Sequence, residues 1–97
     1  MKKCNKSNFE AAAALFRKEF PGYEFSVRSV LDNPETGEFW ESLIVEHIDP
    51  KGRFVSHYDM LGTREWNKLN AAQTEAEVAE FTAGLIASQT KHIMRMM

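Results

Sequence analysis

Two proline–glycine turns cut the middle of this chain into three strand-length pieces. That punctuation constrains the fold more than any other feature. Asn33-Pro34-Glu35-Thr36-Gly37 and Asp49-Pro50-Lys51-Gly52 each set a proline, which presets the entry dihedral, before a glycine that accepts a left-handed exit. Before the first turn the apolar period is two: Tyr23, Phe25, Val27, Ser29 and Leu31 alternate with Glu24, Ser26, Arg28 and Val30. This predicts a strand. A second strand is expected over 38–48 and a third over 53–61. Connections this short make neighbouring strands antiparallel.

Helical patterns flank the strands. Ser7-Asn8-Phe9-Glu10 reads as a capping box, followed by Phe9, Ala13, Phe16 and Phe20 at helical spacing with Ala12 beside them. Pro21-Gly22 ends that helix. Thr74-Glu75-Ala76-Glu77 reads as a second capping box. It opens a long final helix with a stripe of Val78, Phe81, Leu85, Gln89 and Ile93, Ile86 and Met97 lying alongside. Residues 62–73, with Trp66, are the least regular stretch. The expected order is α-β-β-β-α, an α+β fold with a three-stranded antiparallel sheet and both helices packed on one face. A chain of 97 residues holds one domain. It is read as 1–97, with 1–6 as a mobile N-terminus.

Charge is spread unevenly. The formal net charge is −2. Residues 24–49 carry seven acidic side chains against Arg28 alone, a local −6. Residues 1–23 carry +3 and residues 50–97 carry +1. The lone cysteine, Cys4, forms no internal disulfide and points to a reducing, cytoplasmic setting. No apolar run has the length of a membrane span.

Turn chemistry suggests a register. Pairing Asn33 with Glu38 sets Leu31 opposite Trp40 and Val27 opposite Ile44. A glycine bulge at the second turn sets Ile48 opposite Phe54 and Ile44 opposite Tyr58. Both registers put Tyr23, Phe25, Val27, Leu31, Trp40, Ile44, Ile48, Phe54, Tyr58 and Met60 on the face under the helices. The other face would carry Phe39, Leu43, Val45, Val55 and Leu61, ringed by Arg28, Glu41, His47, His57 and Asp59. An apolar centre with a charged rim has the composition of an interaction patch. The bland alternative is that β-propensity accounts for these residues, or that the long last helix covers part of that face.

No motif for catalysis, cofactor binding or phosphate binding is present. His47 and His57, with Asp59, are the nearest approach to a metal ligand set, and ordinary surface histidines are far commoner. Cys4 lies far from any histidine in sequence. We therefore expect no enzyme, no cofactor and no metal site.

The element order resembles that of the double-stranded-RNA-binding domain. The resemblance implies phosphate contacts at the start of the last helix and a minor-groove contact by the first hairpin loop. Here those places read Thr74-Glu75-Ala76-Glu77 and Asp32-Asn33-Pro34-Glu35-Thr36-Gly37-Glu38. Carboxylates there oppose phosphate. The remaining expectation is a small non-catalytic protein-binding module, an inhibitor or regulator. In size and character it resembles phage and mobile-element inhibitors such as anti-CRISPR proteins, or immunity proteins and antitoxins. The expected partner-binding residues are Glu35, Glu38 and Glu41 of the acidic hairpin, with Arg28, Phe39, Leu43, Val45, Val55, His57 and Asp59 of the open face. The expected partner is a basic nucleic-acid-handling protein, and self-association through the same face would give a homodimer. Direct nucleic-acid binding, or a small metal protein or enzyme, are the alternatives. The methionine-rich end, Met94 to Met97, is a further candidate contact.

Overall fold

A computed structural model of the chain describes residues 5–48, 51–52 and 54–95, with the side chains of 30–33, 38–40, 48 and 54–57 outside the description. The element order is α1 (Lys6–Glu19), β1 (Tyr23–Asn33), β2 (Glu38–Ile48), β3 (Phe54–Asp59), α2 (Thr63–Ala71) and α3 (Glu75–Met94). The sheet is antiparallel in the order β1-β2-β3. All three helices pack on one face, giving two layers and a flattened shape of 39 × 35 × 18 Å. The α+β fold and its three-stranded antiparallel sheet are those read from the turns. The addition is α2, where the sequence looked irregular.

Each helix boundary has a local cause. Helix α1 begins at Lys6, with Asn5 as its N-cap residue. The Ser7 hydroxyl donates to Asn5 Oδ1 (2.7 Å) instead of capping the helix. At the other end Gly22 takes φ +99°, the left-handed conformation that turns the chain into β1. Helix α3 is capped by Thr74 as its sequence predicts, with Glu77 reaching back one residue farther, to Gln73. The Glu77 N–H donates to Thr74 Oγ1 (3.1 Å), and Glu77 Oε2 accepts from the Gln73 N–H (2.7 Å). It is docked down to its last turn, because Ile93 is wholly buried while Met94 is half exposed. Met96 and Met97 lie outside the described residues.

The core joins Phe9, Phe16, Trp66, Leu69, Val78, Leu85 and Ile93 from the helices to Phe25, Leu43 and Val45 from the sheet. The rings of Phe16 and Phe25 stand 5.3 Å apart, and those of Phe9 and Trp66 5.5 Å apart. Polar side chains tie the layers together. Asn8 Nδ2 donates to the carbonyls of Leu69 (2.9 Å) and Ala72 (2.8 Å) at the end of α2, where the Leu69 carbonyl also accepts the Ala72 N–H. Arg17 donates through Nε and Nη2 to the Phe25 carbonyl on the outer edge of β1. The Tyr58 hydroxyl donates to Gln89 Oε1 (2.9 Å), and burial pushes its pKa above the ordinary phenol value.

The strand register corrects the expected layer assignment. Beside the turns the pairing is as read, with Asn33 opposite Glu38 and Ile48 opposite Phe54. One residue is then extra on each outer strand. Leu31 pairs with Phe39, so Asp32 has no rung, and His47 pairs with Ser56, so Val55 has none. These are β-bulges. From there on Val27 lies opposite Leu43 and Phe25 opposite Val45, which lies opposite Tyr58. A one-residue slip turns every side chain of a strand to the other face. Leu43 and Val45 are therefore fully buried under the helices and form no open patch. Ile44, expected in the core, lies outside the core cluster. Tyr23, Phe25, Val27, Tyr58 and Met60 are in or against the core, as read.

Candidate interaction surface

Strand lengths create the most prominent feature. Strands β1 and β2 have 11 residues each and β3 has six. The last rung of β3 is Asp59 opposite Ile44, followed by one bond from the Met60 N–H to the Leu43 carbonyl (2.9 Å). Beyond that point residues 28–33 and 38–42 form a two-stranded ribbon without a third strand. Its β2 half spans about 17 Å at the usual strand rise. Residues 29–42 contain Asp32, Glu35, Glu38 and Glu41 and no lysine, arginine or histidine. The ribbon is thus an acidic arm with an exposed tip at 34–37.

The base of the arm is fastened to the helices. The Glu41 carbonyl points to the side that β3 has vacated, and the Trp66 indole N–H donates to it (2.7 Å). Glu41 sits on the helix-covered face, half-buried, with Oε1 accepting from the Ser29 hydroxyl (2.9 Å). Its Oε2 is buried and finds no hydrogen-bond partner among the described residues. Glu41 is therefore a bracing residue at the root of the arm, and Glu35 and Glu38 occupy positions farther out along it. The cation nearest in sequence, Arg28, is exposed and pairs with Glu46. Arg28 stands opposite Ser42 and Glu46 opposite Glu24, so the ion pair spans the rung of Ser26 and Ile44. That placement fits the burial of Ile44, only 7% exposed on a face with no helix over it.

The expected partner-binding residues therefore separate into groups. Glu35 and Glu38 lie on the arm. Arg28 and Asp59 lie on the uncovered face, with Glu24, Ser26, Ser42 and Glu46. Asp59 Oδ1 accepts from the Leu61 N–H (3.0 Å) and so turns the chain out of β3. Leu43 and Val45 belong to the core. The side chains of Glu38, Phe39, Val55 and His57 lie outside the described residues; Phe39 pairs with Leu31, and His57 with Glu46. Among the described side chains the uncovered face is polar and charged around Ile44, where an apolar centre was expected.

Sequence reasoning missed Trp66, Arg17 and Glu46. Trp66 and Leu69, with Glu65 before them and Lys68 between them, carry a short helical signal. Nothing in the sequence announces that Arg17 would reach a strand carbonyl.

His47 and His57 occupy neighbouring rungs of opposite parity. The His47 ring lies 5.3 Å from that of Tyr23 on the helix-covered face, and its Nδ1 finds no partner among the described residues. Among the described residues no group of three or more histidine, cysteine, aspartate or glutamate side chains is arranged to hold a metal, and no helix is long and apolar enough to cross a membrane. Cys4 lies outside the described residues. No known protein family, curated protein or solved structure matches the chain.

Proposed function

We propose that this chain is a small non-catalytic protein-binding module that presents its acidic hairpin arm to a basic surface on a partner protein. The observation that supports this reading is the arm itself, a ribbon that extends past the third strand and carries no cation beyond Arg28 at its root. Carboxylates on a fixed ribbon set up a directed negative field, which steers encounter with a cationic surface. Channels that hold nucleic acid are such surfaces, so the fitting partner is a nucleic-acid-handling protein, and the fitting role is inhibition by occupying its channel. The lone cysteine suits action in the reducing cytoplasm.

The test compares wild type with the triple variant Asp32→Lys, Glu35→Lys and Glu38→Lys, after circular dichroism shows that both are folded. Each is immobilised and used to capture proteins from a host lysate at low salt, then eluted with rising salt. A protein retained by the wild type, released by salt and lost in the variant is expected. Equal retention of the same proteins by both would sink the reading. A gel shift with double-stranded RNA checks the competing class. Tight binding that weakens steeply with salt would replace the proposal by direct nucleic-acid binding.

A further inference from the structure

A second surface lies on the helical layer, away from the arm. It is a groove of about 480 Å³ between the first turn of α2 and the middle of α3. Phe81, Gly84 and Leu85 give it an apolar floor, and Glu65, Glu77 and Glu80 give it three carboxylates. Helix α2 contributes only Glu65 to the lining, because α2 has nine residues and α3 has twenty.

Gly84 is the informative residue. A glycine inside a helix weakens it relative to alanine. Such a glycine is usually explained by close packing or by an unusual backbone. Neither applies here. A Cβ built on Gly84 would meet nothing within 4 Å, and its φ is not positive. The missing side chain therefore makes room for no neighbour among the described residues. What it does is deepen the groove beside Phe81, which is itself only partly buried.

We infer that this groove receives a basic side chain, a lysine or arginine, from a segment of a partner protein. The aliphatic stem of that side chain would lie on Phe81, Gly84 and Leu85, and its charged head would meet Glu65 and Glu80. Long basic side chains bury their stems and keep their heads polar, and a cation over an aromatic face gains a further attraction. Charge selects the occupant, since an acidic or purely apolar segment would leave the carboxylates unpaired. Glu77 is partly engaged, because its Oε2 caps the start of α3.

The experiment uses the full chain, labelled with nitrogen-15, and a blocked pentapeptide alternating leucine and arginine. Saturable amide shifts at residues 80–88 are expected. The same peptide with glutamate in place of arginine should leave those amides unmoved. Glu80→Lys should weaken binding about tenfold, the scale for losing one charged contact. Gly84→Leu fills the groove and should abolish the shifts at residues 80–88 while its melting temperature stays at or above that of wild type, since leucine is the better helix former. Shifts confined to residues 29–42 would overturn the groove and favour the arm as the sole contact. Undiminished binding by folded Gly84→Leu would also overturn it. Because the arm variant and the groove variant alter different residues, failure of one reading leaves the other standing.

Discussion

Single side chains decide how the layers of this molecule close. Asn8 is the clearest case, because one amide serves two carbonyls at the end of α2 and is itself nearly buried. An asparagine in the first turns of a helix is a modest helix former, so its presence there is a tertiary requirement. Replacement by alanine removes two hydrogen bonds and strands the Ala72 carbonyl, while the Leu69 carbonyl keeps the Ala72 N–H. We predict a loss of about 2 kcal/mol for Asn8→Ala, read from urea unfolding. Asn8→Asp should cost more at neutral pH, since a carboxylate has no proton to offer either carbonyl. A loss no larger than that of an exposed alanine substitution on α1 would show that water replaces the amide.

At the level of elements, the sequence spoke clearly wherever one pattern dominated. Helix α1, helix α3 and strand β1 each have a single apolar face, and each was legible. Strand β2 does not. Phe39, Leu43 and Val45 make one apolar set and Trp40, Ile44 and Ile48 make another. Pattern alone cannot choose between them, so the choice fell to turn chemistry. The turns do fix the rungs beside them. Each bulge then adds one residue to an outer strand and reverses β2 against its neighbour. Both hairpins carry the same slip, so their agreement gave no independent check. Helix α2 was missed for a different reason. Nine residues make a weak periodic signal, and packing of Trp66 and Leu69 holds them in place.

The reversed face makes a sharp prediction for adjacent residues. Leu43→Lys should prevent folding, because it buries a charge with no partner in the core. Ile44→Lys should remain folded and lose about 1–2 kcal/mol, since its stem can follow the sheet while its head reaches solvent. Circular dichroism and thermal melting of the two variants distinguish them. The opposite outcome, with Ile44→Lys unfolded and Leu43→Lys stable, would restore the bulge-free register.

On the scale of the whole molecule, stability and proposed function occupy different parts of the sheet. The three-stranded end is covered by helices and holds the core. The two-stranded end carries the carboxylates and has no third strand. An isolated two-stranded ribbon is marginal in water, so the arm needs a brace where it leaves the body. The brace to the body is the Trp66 indole on the Glu41 carbonyl, while the Ser29 hydroxyl on the Glu41 carboxylate ties the two strands of the arm to each other. Trp66 also packs in the core, and it thereby couples the arm to the helical layer. Trp66→Phe keeps most of the ring volume and deletes the N–H. We predict that amide exchange across residues 28–33 and 38–42 then accelerates at least about tenfold, as expected for a locally opened unit. Amides on the rungs that β2 shares with β3 should change much less. Uniform acceleration in both regions would mean that Trp66 supports global stability alone. Selective acceleration would show that a single indole hydrogen bond holds the acidic arm at a fixed angle to the body. That fixed angle is what a directed electrostatic contact requires, because a freely swinging ribbon would spread its charge over many orientations.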